Sequence, residues 1–165
     1  MAQMSKGKYY VTVAGARKLE DELEALQGKR GEIAANIRKA KAYGDLSENF
    51  EYHEAKREQG FVEGRIQQLK VIVPSLGVVK PEDVSPTTVG FGATVTLDED
   101  GEEWAVTIVG PLEADPMEDR ISYESPMGSA LMGKKVGDVV QVTVPAGTST
   151  YAIKGIRPYD PAAFE

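Results

Sequence analysis

Asp45 and Glu48 are the side chains of this sequence whose types and spacing point most directly to chemistry. They stand three residues apart in Gly44-Asp45-Leu46-Ser47-Glu48, with Glu51 and Glu54 following. Two carboxylates on a protruding loop can share a Mg2+, which usually takes one or two protein carboxylates and fills its shell with water and phosphate oxygens. Arg38, Lys39 and Lys41 come just before them and Lys56 and Arg57 just after, bases that would suit a phosphate chain. A plainer reading competes for the same residues. Asp45-Leu-Ser-Glu48 also reads as a capping-box-like helix start, with acids opposing the helix dipole. The bases also read as a solvated face, His53 as an ordinary polar helix residue, and Tyr43 and Tyr52 as packing for a turn.

Composition removes most other chemistries. The chain has 165 residues, 41% hydrophobic and 27% charged, with no Cys and one His. Thiol nucleophiles, thiolate zinc sites and disulfide scaffolds are excluded, and a His-based metal cluster cannot be built. No apolar run approaches the roughly 20 residues that span a bilayer, and the N-terminus lacks an apolar signal core. A cytoplasmic chain with no membrane partner is expected, long enough for one or two small domains. The net charge of −7 hides a split: residues 1–75 carry 13 Lys/Arg against 11 Asp/Glu, and residues 76–165 carry 6 against 15. The acidic half repels phosphate backbones, so any nucleic-acid contact belongs to the first half, with a partner supplying most of the affinity.

The elements that must position the two acids are two long helices. Leu19, Leu23, Leu26, Arg30, Ile33, Ile37 and Ala40 alternate spacings of 4 and 3, as do Tyr52, Ala55, Gln59, Val62, Ile66, Leu69 and Val73. Both series match a coiled-coil seam. Paired antiparallel, 19 with 73 through 40 with 52, every pair sums to 92, so one register satisfies all positions and centres the turn on Leu46. Each helix should approach 30 residues, on the order of 45 Å. Gly44 suits a left-handed helix end, and the Ala40 and Ala55 pair makes the far end slender. Arg30 and Gln59 are polar seam residues that would fix register at some cost in stability.

Beyond Pro74 the pattern changes. The spacing predicts a hairpin domain over 1–76 with its tip at 43–50, a linker over 77–84, a domain over 85–158 and a frayed tail over 159–165. Strands are predicted at 92–98, 103–109, 119–123, 138–144 and 149–156, with a hairpin turn at Asp98–Gly101. A short helix is predicted at 126–132, with Ser125 as N-cap, Pro126 at its first position and Gly133 past its end. The fold class is α+β: an antiparallel helical hairpin followed by a small α+β domain.

The run Gly44-Asp45-Leu46-Ser47-Glu48-Asn49-Phe50-Glu51-Tyr52-His53-Glu54-Ala55-Lys56-Arg57-Glu58-Gln59-Gly60 resembles the signature of the bacterial Gre transcript-cleavage factors. Tyr10-Val-Thr-x-x-Gly15, Phe91-Gly92-Ala93-Thr94-Val95, and Ser125-Pro126-Met127-Gly128 through Leu131-Met132-Gly133-Lys134 resemble the same family. The likeness covers roughly residues 8–158, and the lengths fit its A-type branch best. It implies a monomer whose hairpin enters the secondary channel of RNA polymerase and whose C-terminal domain, FKBP-like in fold, docks at the channel mouth. It implies that Asp45 and Glu48 help hold the polymerase's second catalytic Mg2+, a metal shared only in that complex, while backtracked RNA is hydrolysed. Lys56 matches the family's basic residue, and with Arg57, Arg38 and Lys41 would contact the nascent RNA 3′ end. Glu124, Ser125 and Pro126 match its docking motif. Tyr43 departs from the His of many members and leaves both acids intact.

Two other readings remain at this stage. A channel-binding module that inhibits without promoting cleavage is opposed by the intact acids, which the family's antagonists replace. A prolyl isomerase needs an aromatic-lined pocket, and residues 76–158 offer only Phe91, Trp104, Tyr123 and Tyr151.

Overall fold

The computed structural model describes residues 8–164. The described residues form two compact units, one running from Arg17 to Ser75 and the other combining residues 8–16 with residues 76–164.

The first unit is the helical hairpin. Helix α1 spans Val13–Lys41 and helix α2 spans Phe50–Ile72. Every seam position named above is buried or half-buried, and the residues between them are mostly exposed. Ile33, Ile37, Ala55, Val62 and Ile66 form one buried cluster, with Leu23, Leu26 and Tyr52 packed against it. Non-directional apolar burial along one stripe is what holds two such helices together. At the polar seam position Arg30 the side chain reaches across to the second helix. Its Nε and Nη2 donate to Glu63 at 2.7 and 2.9 Å, a fork-on-fork pair next to the predicted partner Val62. Arg65 grips Glu22 the same way, at 2.6 and 3.0 Å. Those hydrogen bonds hold the Glu63 and Glu22 carboxyls below the usual carboxylate range, against the opposing effect of burial. Helix α2 has 23 residues, shorter than the expected 30, because a 3-10 turn over Val73–Ser75 takes over before Pro74 can continue the α-helix.

In the second unit, strand β1 (Tyr9–Thr12) pairs in parallel with β2 (Leu76–Val79). The stretch expected as linker therefore begins as a strand, and its partner is the segment that leads into α1. This pairing is why residues 9–12 belong with the C-terminal half. Thr12 caps α1 by accepting from the Gly15 N–H at 3.1 Å, while its own N–H and hydroxyl donate to Glu113 at 2.7 and 2.6 Å. No residue in the first turn of α1 is acidic, and Glu113 brings the missing negative charge to that positive end. A Cβ on Gly15 would lie 2.4 Å from the Glu113 carboxyl carbon, which explains the Thr-x-x-Gly spacing.

The remaining strands are β3 (Ala93–Glu99), β4 (Glu102–Val109), β5 (Arg120–Ser122), β6 (Val139–Val144) and β7 (Gly147–Pro158). They form one sheet ordered β5-β4-β3-β7-β6, antiparallel except for the β4–β5 pair. Asp100 and Gly101 both adopt positive φ at the β3–β4 turn, as a two-residue hairpin requires. Helix α3 (Pro126–Leu131) has Ser125 as its cap, as expected. The core gathers Val89, Val95, Leu97, Ile108, Leu131 and Ile153 with the sheet's other buried residues. The four aromatics weighed for an isomerase pocket pack in or against this core as edge-to-face pairs, Phe91 with Tyr123 and Trp104 with Tyr151. The expected frayed tail is not frayed through its first residues. Tyr159 is 2% exposed, its hydroxyl donates to the Val79 carbonyl and accepts from the Val13 N–H, and Phe164 stacks edge-on against it.

Candidate functional site: the turn between the long helices

The turn follows from how the two helices end. α1 finishes with Arg38, Lys39 and Lys41 in its last turn, where cations favour the negative end of the dipole. Tyr43 N–H donates to Ala40 and Gly44 N–H to Lys41, tightening the end of the helix. Gly44 then takes φ +74° and Asp45 φ +46°. Aspartate tolerates this left-handed backbone better than most residues do. A hydrogen bond from Glu48 N–H to the Asp45 carbonyl, 3.2 Å, closes a four-residue turn with one acid at each end.

The capping reading of Asp45 and Glu48 fails. Helix α2 starts at Phe50, and its cap is Asn49, whose Oδ1 accepts from Tyr52 N–H at 3.0 Å. The Asp45 side chain accepts only from the Ser47 hydroxyl, 3.0 Å away, and among the described residues the Glu48 carboxylate has no hydrogen bond or ion pair. Both acids are exposed, as are all side chains from Lys41 to Glu48. The physical reason is the left-handed pair at Gly44-Asp45: the backbone needs four more residues to reverse before helical geometry resumes, so the first residue able to cap is Asn49 rather than Asp45.

Asn49 is the residue that sequence reasoning missed. Its signal was an amide side chain immediately before a helical period, the commonest kind of N-cap, hidden behind the better-known Asp-x-x-Glu pattern. His53 is also more than a surface residue, since its Nε2 lies 3.3 Å from the Ser47 carbonyl and its ring packs edge-on against Tyr52. Tyr43, Leu46 and Phe50 project as exposed apolar side chains around the acids.

The candidate bases flank this turn on two helices. Arg38 and Lys41 are exposed, with no ion pair among the described residues. Lys56 donates to Gln59 at 3.0 Å, and Arg57 pairs with Glu54 at 2.9 Å, an exposed pair that water screens heavily. No group of three or more His, Asp or Glu side chains that could hold a metal occurs among the described residues. Two carboxylates with free oxygens fit a Mg2+ whose other ligands come from elsewhere.

Glu124, Ser125 and Pro126 lie in the other unit, at the start of α3. Ser125 Oγ accepts from Gly128 N–H at 3.0 Å and donates to the Ser122 carbonyl at 2.6 Å. Glu124 and Pro126 are exposed. No helix among the described residues is long and apolar enough to cross a membrane.

Comparison with known proteins covers both units. Residues 84–158 match the family described as "Transcription elongation factor, GreA/GreB, C-term", and residues 9–78 that described as "Transcription elongation factor, N-terminal". The chain is 52% identical over 157 residues to the transcription elongation factor GreA of Clostridium perfringens strain SM101, covering 93% of this chain and 99% of that protein. It is 51% identical over 150 residues to the GreA of Thermoanaerobacter pseudethanolicus, covering 89% and 96%. Among solved structures, that of GreA factor homolog 1 (Gfh1) of Thermus thermophilus shares 29% identity over 91% of this chain and 99% of that one, at a TM-score of 0.42.

Proposed function

The chain belongs to the GreA/GreB family of transcription elongation factors, and on that premise we propose that it binds the secondary channel of RNA polymerase and stimulates cleavage of backtracked nascent RNA. The observation that carries this reading is the vacant role of the two tip acids. Asn49 caps the helix, so Asp45 and Glu48 are exposed, charged and held in one turn without a structural task of their own.

A Mg2+ bound between this tip and the polymerase supplies Lewis-acid activation of water and charge neutralisation at the phosphate. What this chain contributes is narrower. Asp45 and Glu48 would hold part of the shell of a metal that the polymerase alone holds weakly, and their carboxylates would help orient a water. Lys56, Arg57, Arg38 and Lys41 hold the RNA's phosphates, and the Ser125–Pro126 end of α3, with Glu124, docks the factor. The nucleophile, the first metal and the RNA belong to the polymerase, so the protein is an accessory to another enzyme's reaction. It works inside the cell as a single copy.

The test is RNA cleavage by a stalled, backtracked polymerase complex with the wild-type protein, Asp45→Asn or Glu48→Gln. These variants keep the side-chain shape and remove the charge, and Asn tolerates the left-handed φ of position 45. Each should lose stimulated cleavage while binding polymerase as the wild type does. Full activity in both variants would overturn the reading.

A further inference from the structure

We propose that Asn49 is the positioning residue of the tip: its amide ties the end of α1 to the start of α2 and so holds Asp45 and Glu48 in place. The proposal rests on the cleavage reading above and deepens it.

One planar group meets three backbone atoms. Asn49 Nδ2 donates to the Ala40 carbonyl at 2.7 Å and, more weakly, to the Gly44 carbonyl at 3.4 Å, while Oδ1 accepts from Tyr52 N–H at 3.0 Å. Ala40 lies in the last turn of α1, where its carbonyl otherwise accepts only from Tyr43 N–H just past the helix end, and Tyr52 N–H, in the first turn of α2, has no acceptor within that helix. A single side chain therefore links the facing ends of both helices.

The rest of the turn has little else to order it. Side chains from Lys41 to Glu48 are exposed, so packing does not fix the loop. Its backbone bonds, Tyr43 to Ala40, Gly44 to Lys41 and Glu48 to Asp45, are local and leave the two helix ends unlinked. The ties that reach across more than four residues are the Asn49 amide, to Ala40 and Gly44, and His53 Nε2, to Ser47. Carboxylates that share a metal with another protein's ligands must be held closely, because misplacement of about 1 Å can cost on the order of 100-fold in rate.

Helix capping alone would not select Asn, since Asp and Ser cap as well. Ionised Asp has no donor, and Ser lacks the reach of the amide nitrogen. Asn49→Ser and Asn49→Asp therefore keep the cap and remove the tie, and comparing them separates the tie from the added charge. In both variants of the full chain the slowly exchanging amides of α1 and α2 should keep wild-type hydrogen-exchange protection. Backbone order parameters at residues 44–48 should fall from the rigid value of about 0.85 towards 0.6. On a backtracked polymerase complex the saturated cleavage rate should drop roughly 10- to 100-fold with the half-saturating concentration unchanged, the pattern of a lost transition-state interaction.

Wild-type order and a wild-type saturated rate in both variants would overturn the proposal and leave Asn49 as a cap. Loosened order with an undiminished rate would also overturn it, as would a loss confined to the half-saturating concentration. Asp45→Asn run in parallel separates the two readings. If it cleaves like the wild type, the cleavage function fails, and the order parameters alone then judge the tie: a fall sustains it and no change overturns it.

Discussion

Four glycines in the middle of the hairpin invite one substitution with a calculable result. Gly28 and Gly31 lie in α1, and Gly60 and Gly64 in α2. In the register set by the seam, Gly28 stands opposite Gly64, and the other two fall within a turn of that level, beside the Arg30–Glu63 ion pair. A Cβ built at any of the four meets nothing within 4 Å, and none has a positive φ. Alanine therefore fits each site without strain, and its gain is the ordinary helix-propensity difference of about 0.5–1 kcal/mol per position. The four-fold Gly→Ala chain should hold its hairpin more firmly by about 2–4 kcal/mol if the sites add. Because the chain has two compact units, global melting does not report one equilibrium, and native-state hydrogen exchange of the α1 and α2 amides is the appropriate assay. Slowly exchanging hairpin amides should gain roughly 30- to 1,000-fold in protection. The same chemical change at Gly44, with φ +74°, should act in the opposite direction by about 1–2 kcal/mol. Unchanged protection in the four-fold variant, or a gain from Gly44→Ala, would refute the assignment of these residues to unstrained helix and strained turn.

Further expectations concern the contacts around these elements. Glu22 and Glu63 have carboxyls held low by Arg65 and Arg30, so their contribution to hairpin stability is present above the ordinary carboxylate range and lost as pH falls through their depressed values. An acid titration of hairpin protection should therefore flatten in the Glu22→Gln, Glu63→Gln double variant. Tyr159→Phe removes the donor to Val79 and leaves the Val13 N–H unpaired, which should cost the sheet unit about 1–3 kcal/mol by native-state hydrogen exchange of its strand amides. Burial raises the Tyr159 hydroxyl, so its contribution is full below about pH 10 and is lost above it. The variant should be correspondingly less sensitive to alkali. Pro126→Ala keeps the Ser125 cap and should fold normally while raising the factor concentration needed for half-maximal cleavage. A lowered saturated rate would show that this end of α3 does more than dock.

The hairpin could be read from the chain because a coiled-coil seam is a local, periodic property: a 4,3 alternation of apolar residues is the same whether or not the partner is known. Its register followed from one arithmetic condition, and the Arg30–Glu63 pair agrees with it. The strands of the sheet, the Asp100-Gly101 turn and the Ser125 cap were equally local, written in alternation, positive-φ residues and short polar caps. The two tip acids could be located from their position at the turn, and the family resemblance suggested the role proposed for them.

Tertiary structure decided what depends on residues far apart. The parallel pairing of β1 with β2 joins segments more than 60 residues apart, and four-residue strands carry too little alternation to announce themselves. Glu113 serving the start of α1 and Tyr159 bridging Val13 and Val79 are contacts across 101 and 80 or more residues, and they drew a supposed linker and tail into the sheet unit. At the tip the deciding fact was conformational. Asp-x-x-Glu fits a capping box as well as an exposed turn, and only the left-handed backbone at Gly44 and Asp45 moves the helix start to Asn49. Residue type limits which side chains can cap a helix, but φ and ψ at the preceding residues determine which one does, and here they leave Asp45 and Glu48 exposed and outside the cap.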